Sequence, residues 1–361
     1  MGTGIVSILL NTLPYNARWL YWISVVFFAL NVLLFAVFSV ISLLRYALYP
    51  ELIRPVLVHP VQSMYLGTFP MGLATLITMV CFVCVPAWGG WTRNFAWGLW
   101  IFDAVLSVIV ALGTPFVLMT HGKDLHLAAM TAVWLLPIVS CVVASSAGAV
   151  VASILIDEQH ALWTILASYC LWGIGVPLAT MVIGIYLQRL TLYKLPPKAA
   201  IVSVFLPLGP LGQGSFGIMK LGSVANDVFP KTHSLDPSAG SVLYSACFLI
   251  GLLVWAFGLV WLFFAVASVI RCKTFPFNVG WWSFTFPLGV FATGTCQLGR
   301  ELPSRFFNVL GTIFSLCVVI VWVVVSVGTI RGIVNGRLFH APALEELEAE
   351  MKMERERESV T

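Results

Sequence analysis

Apolar runs without a single charge, such as Trp19–Leu44 and Ser241–Ile270, recur along the chain. Each exceeds the roughly 20 residues that cross a bilayer's hydrocarbon core as a helix. With so many of them, a cleaved signal peptide does not account for the pattern. Composition agrees: 60% of the 361 residues are hydrophobic and only 9% are charged, where a soluble domain carries roughly a quarter. The chain is therefore read as an all-α integral membrane protein. Residues 1–336 form one transmembrane domain, and 337–361 a charged cytoplasmic tail, read as a solvated helix or a disordered segment.

Reading the runs between charged or turn-like punctuation predicts ten spans, at 1–13, 19–44, 62–87, 95–120, 129–156, 161–188, 199–223, 239–270, 280–298 and 304–330. The first is short for a crossing and Met1 sits directly on Gly2-Thr3-Gly4. This predicts that the first helix begins ahead of Met1, a re-entrant half-helix being the other reading. Lys and Arg test the count. With ten spans, 13 fall on one side (Arg45, Arg54, Arg189 and Arg271 among them), five on the other (Arg18, Arg93, Lys231, Arg300 and Arg305), and Lys220 lies within a span. Basic loops stay inside, so both termini are expected in the cytoplasm. The connections are short, and the ten spans read as five consecutive helical hairpins.

The odd-numbered spans share a feature. The third contains Gly67-Thr68-Phe69-Pro70-Met71-Gly72, and the fifth Pro137 followed by Ala144-Ser145-Ser146-Ala147-Gly148. The seventh contains Pro207–Gly217, and the ninth Phe286-Pro287-Leu288-Gly289 followed by Thr293-Gly294-Thr295. Proline removes a backbone hydrogen bond and bends a helix. In lipid such breaks are tolerated only where they are buried in protein or line a watery cavity. Of the even spans, the sixth has an interior proline, Pro177, while Pro115 and Pro303 lie near span ends; these spans are rich in Leu, Val, Phe and Trp instead. The pattern predicts five Pro/Gly-kinked inner helices around a central pore and five outer helices facing lipid or partner subunits. Close helix packing through small residues is the other reading of any one break.

Few polar side chains are available to meet a solute. Lys220 is a cation well inside an apolar run, and such a charge is costly unless it faces water, an anion or a carboxylate. With Gln213, Gly214 and Ser215 in the break before it, and Arg300 at one mouth, it forms the candidate anion-binding set. Snorkelling of Lys220 to the interface is equally open. Phe69, Phe216 and Phe286 sit at breaks, where a bulky ring closes a pore or simply packs in the core. Asp103 is an acidic residue inside a span, read either as a partner for a neighbouring helix or as a proton-coupling carboxylate. Every histidine falls in a loop or the tail, which argues against a histidine relay. No triad, paired carboxylates or His-Glu-x-x-His arrangement supports an enzyme. Cys81-x-x-Cys84 has a redox or metal spacing, but within an apolar helix it reads as packing. Nothing in the sequence asks for a metal or a cofactor, and no basic, aromatic-interleaved patch points to nucleic acid.

Four motifs, Met1–Ser7, Leu66–Gly72, Leu208–Gly222 and Phe277–Pro287, resemble the tellurite-resistance/dicarboxylate transporter family. That family includes plant guard-cell slow anion channels, yeast malic-acid permeases and fungal sulfite efflux pumps. The Pro207–Gly217 stretch is most similar to the sulfite pumps. The resemblance implies ten helices around a pore in each subunit, commonly in a homotrimer, with a gating phenylalanine on the ninth helix: Phe286 first, Phe284 second. It implies plasma-membrane export of sulfite or bisulfite without ATP, in keeping with the lack of a P-loop. The alternatives are a proton-coupled malate permease or a gated anion channel of the same family, and, from another class, a membrane receptor or scaffold.

Overall fold

The computed structural model describes residues 1–121 and 126–336. Lys123 and the charged tail at 337–361 lie outside the described residues. All regular structure in the described residues is helical. The principal elements are α1 (Gly2–Thr12), α2 (Arg18–Leu48), α3 (Ser63–Trp88), α4 (Gly90–His121) and α5 (Ala132–Ala152), then α6 (Glu158–Tyr193), α7 (Lys198–Thr232), α8 (Ala239–Cys272), α9 (Thr285–Glu301) and α10 (Arg305–Val334). Eight of them are long and apolar enough to cross a membrane, and α1 and α9 are shorter.

Burial divides the helices by parity. The most apolar stretch of α5 is 100% buried and those of α7 and α3 are 94% and 67% buried, whereas α2 has 11% and α6, the most covered even helix, 33%. Residues 2–10 of α1 and nearly all of α9 are buried as well. The odd helices touch in a closed cycle, α1 to α3, α3 to α5, α5 to α7, α7 to α9, and α9 back to α1. Each even helix packs against the odd helix before it and exposes large apolar side chains on its far face.

The prolines of the inner elements sit differently from the mid-helix kinks anticipated above. In α3, α5 and α9 a 3-10 turn precedes the α-helical segment, and in α7 a 3-10 stretch ends just before it. Pro70, Pro137, Pro210 and Pro287 each occupy the third residue of that segment. There the backbone N–H has no intrahelical acceptor, so its absence costs little. Proline thus marks a recurring 3-10-to-α junction. Pro115 and Pro177 lie inside the continuous outer helices α4 and α6, and Pro230 lies in the last turn of the inner helix α7.

Among the hydrogen bonds that join the two layers, five form a series from each outer helix to the inner helix that follows it. Trp100 of α4 donates its indole N–H to the Ala144 carbonyl of α5 (2.9 Å), and Trp172 of α6 to the Gly214 carbonyl of α7 (2.9 Å). Trp255 of α8 donates to Thr295 Oγ1 of α9 (2.9 Å), and Trp322 of α10 to Thr3 Oγ1 of α1 (3.1 Å). Asn31 of α2 completes the set by donating to Thr75 Oγ1 of α3 (3.2 Å). Every outer helix thereby holds the inner helix that follows it, and α10 closes the cycle on α1.

Close approach inside the ring depends on glycine. A Cβ on Gly212 of α7 would lie 2.5 Å from the backbone nitrogen of Phe291 on α9, a neighbour that cannot rotate away. Gly212→Val is therefore expected to destabilise the fold by roughly 1–3 kcal/mol or more, read as a lower apparent melting temperature in detergent. Gly184→Val, on the open side of α6 where nothing lies within 4 Å, is expected to melt close to the parent.

Candidate functional site

All five inner helices line one cavity of about 110 Å³. They contribute Ile5, Ile8 and Thr12 from α1, Thr78 and Phe82 from α3, and Ser146 and Val150 from α5. Gln213, Phe216 and Lys220 come from α7, and Thr293, Cys296, Gln297 and Arg300 from α9. On α3, α5 and α9 these residues lie in the C-terminal half of the element, so the cavity occupies one end of the ring. Its wall alternates aliphatic and aromatic surface with hydroxyls, amides and two cations, the make-up of a small polar-ligand site.

Helix α7 sets the position of Lys220. It continues to Thr232, about 18 Å of rise beyond Lys220, so Lys220 is not at a helix end as the shorter span 199–223 would have it. The side chain is half-buried, and the charges of Arg300, Glu301 and Asp227 act on it. No carboxylate forms an ion pair with it among the described residues. Arg300 at the rim donates to the Thr12 carbonyl of α1, which ties the last turn of α9 to the first helix. Gln213 donates its amide to Ser146 Oγ of α5, and Ser146 in turn donates to the Val143 carbonyl at 2.8 Å. Gln297 donates to Glu301 Oε1 at 2.7 Å, and Tyr244 of α8 donates to Glu301 Oε2 at 2.6 Å. Two cations beside an apolar-walled cavity concentrate anions and exclude cations.

Two helical turns back from the lining residues, on the same helix faces, lie Met71 (seven before Thr78), Val139 (seven before Ser146) and Phe286 (seven before Thr293). All three are apolar and buried. On these three helices the polar lining therefore gives way, about 10 Å further along the helix axes, to apolar residues.

Of the residues picked from sequence, Lys220, Gln213, Arg300 and Phe216 meet at the cavity. Ser215 and Gly214 do not line it. The Ser215 hydroxyl donates to the Gly251 carbonyl of α8 at 2.8 Å, and the Gly214 carbonyl accepts from Trp172. Phe284 belongs to the 3-10 turn before α9, packed edge-on against Phe205 at 4.9 Å. Phe69 is 41% exposed and leans on Phe35 of α2, away from the cavity. Asp103 is fully buried on α4, and neither carboxylate oxygen has a hydrogen-bond partner among the described residues. Thr78, Ser146, Thr293, Gln297 and Glu301 carry polar groups at the site that sequence reasoning did not single out. Gln297 could have been found by the criterion that selected Gln213, an amide inside an apolar run.

The voltage-dependent anion channel (SLAC1) family matches residues 1–330. The sulfite efflux pump SSU1 of Trichophyton rubrum is 52% identical over 339 residues, 94% of this chain and 90% of that protein. The sulfite efflux pump SSU1 of Saccharomyces cerevisiae is 27% identical over 380 residues, covering 88% and 82%. The malic acid transport protein of Schizosaccharomyces pombe is 21% identical over 342 residues, covering 92% and 76%.

The sign of the cavity's field is open to a direct test. In a Cys296→Ser background, a cysteine substituted for Thr78 is expected to react about tenfold faster with a negatively charged methanethiosulfonate reagent than with a positively charged one. Mass spectrometry of labelled protein reads the two rates.

Proposed function

The chain belongs to the voltage-dependent anion channel family, and on that premise we propose that it exports sulfite or bisulfite through the ring of inner helices. The observation that carries this reading is the convergence of Lys220 and Arg300 on one cavity lined by all five inner helices. The 52% identity to a protein named a sulfite efflux pump selects the anion; the relative named for malic acid transport is much more distant, at 21%.

The physics suits the task. Sulfite near neutral pH is a mixture of singly and doubly charged oxyanions, small and rich in acceptor oxygens. Lys220, Arg300 and the hydroxyls and amides of the lining would replace part of its hydration shell. A cell interior negative by 100 mV favours exit of each negative charge by about 2.3 kcal/mol, so an anion pathway exports without ATP. In this reading the helices cross the plasma membrane ten times as five hairpins, with both termini in the cytoplasm, and subunits associate as a homotrimer with one pathway each. Phe286 acts as the gate: it continues the face of Thr293 and Arg300 into the apolar layer, where a ring blocks the path by bulk and dewetting. Phe284 supports it from the 3-10 turn. Asp103 lies outside the cavity lining, so this reading assigns it no proton-coupling role.

Sulfite flux from proteoliposomes tests the proposal. Lys220→Gln is expected to lower flux about tenfold or more, Phe286→Ala to raise basal flux, and Asp103→Asn to leave its pH dependence unchanged. Wild-type vesicles that pass malate or chloride but no sulfite would overturn the choice of substrate. Unchanged flux in Lys220→Gln would remove that residue from the pathway.

A further inference from the structure

The cavity rim holds an acidic residue that an anion pathway would be expected to avoid. Glu301 follows Arg300 at the end of α9 and is fixed by two hydrogen bonds, one to each oxygen. Tyr244 Oη of the outer helix α8 donates to Oε2 at 2.6 Å, and Gln297 Nε2 donates to Oε1 at 2.7 Å. Gln297 is itself a lining residue, 6% exposed. The carboxylate is thus held one helical turn beyond the wall of the cavity, between the ring and an outer helix, and its charge reaches Lys220. Two hydrogen bonds of this length hold the carboxylate in one position. Asp227, the other carboxylate acting on Lys220, is exposed and screened by solvent.

We propose that Glu301 is a built-in counter-charge that weakens the hold of Lys220 and Arg300 on the anion, so that an anion that has bound also leaves. This rests on the anion-export reading above and deepens it. Conduction needs binding strong enough to draw the ion from water and weak enough to release it. Two cations beside apolar walls, without opposition, would trap a divalent oxyanion. One fixed negative charge at the rim reduces the net field while leaving both donors free to touch the ion. Glu301 does not line the cavity and acts through its charge, whereas Lys220 and Arg300 act through contact. Tyr244 and Gln297 are positioning residues for it.

Full-length protein in proteoliposomes, with sulfite flux measured against sulfite concentration, reads this out. Glu301→Gln keeps the geometry: the new amide oxygen accepts from Gln297 and the new amide nitrogen donates to the Tyr244 hydroxyl. It is expected to lower KM and maximal flux together, each roughly three- to tenfold. The difference from wild type should shrink as ionic strength rises with an impermeant salt. Glu301→Asp, which retains the charge, is expected to stay within about twofold of wild type in KM, and it carries the test should Glu301→Gln fail to fold. A raised or unchanged KM in Glu301→Gln, or equal behaviour of the Gln and Asp variants, would overturn the proposal. If wild-type vesicles pass another anion instead of sulfite, the export reading fails on its own, and the same comparison is made with that anion.

Discussion

An indole or amide N–H turned toward lipid has no water to bond, and leaving one unmade at that depth costs several kcal/mol. Each outer helix resolves this by donating inward, to the inner helix that follows it: Asn31, Trp100, Trp172, Trp255 and Trp322 in turn. Interhelical bonds of this kind contribute only about 0.6 to 1.7 kcal/mol each. Their importance lies in geometry. Together with packing of each outer helix on the inner helix before it, they link neighbouring units in one direction around the cycle. The last bond, from Trp322 to Thr3, joins the end of the domain to its beginning. Without that closure α1 would lose a tie to the outer layer, and α1 supplies one wall of the cavity.

The closed cycle makes the interior a shared space rather than a set of pairwise interfaces. Small residues let the inner helices approach closely, as where Gly212 meets Phe291. Where that close packing relaxes, at one end of the ring, the cavity opens. The groups there are individually modest: two cations, two amides and a few hydroxyls. Their effect comes from convergence in an apolar surround, which strengthens every electrostatic contact relative to water. Two turns back on the same helix faces, Met71, Val139 and Phe286 are apolar and buried, so the polar lining borders an apolar layer.

The proline pattern shows how far a local rule reaches. Proline within a span implies a disturbed helix, and the disturbed segments are the inner ones. The form of the disturbance was not legible. Pro70, Pro137, Pro210 and Pro287 begin α-helical segments after 3-10 turns, whereas Pro115 and Pro177 sit inside long outer helices. A proline's neighbours do not reveal whether the preceding turn is α or 3-10, because both satisfy nearly the same backbone angles. Side-chain direction was equally hidden. Gln213, Gly214 and Ser215 are consecutive, yet only Gln213 lines the cavity, because successive helix positions point about 100° apart.

Hydrophobicity and backbone sterics make the class of the protein, its run of apolar helices and the alternation between small-residue segments and bulky ones legible along the chain. Lys220 is legible in the same way, because a cation inside an apolar run is exceptional wherever the chain goes. Tertiary structure alone decided that α7 continues past Lys220, that Arg300 and Gln297 join it from a helix some 80 residues later, and that Phe69 and Ser215 face elsewhere. It also decided that Glu301 is held at the rim by a tyrosine from another helix. Those facts depend on which helix faces meet across the ring, and pairing between distant segments is set by packing that no local pattern encodes.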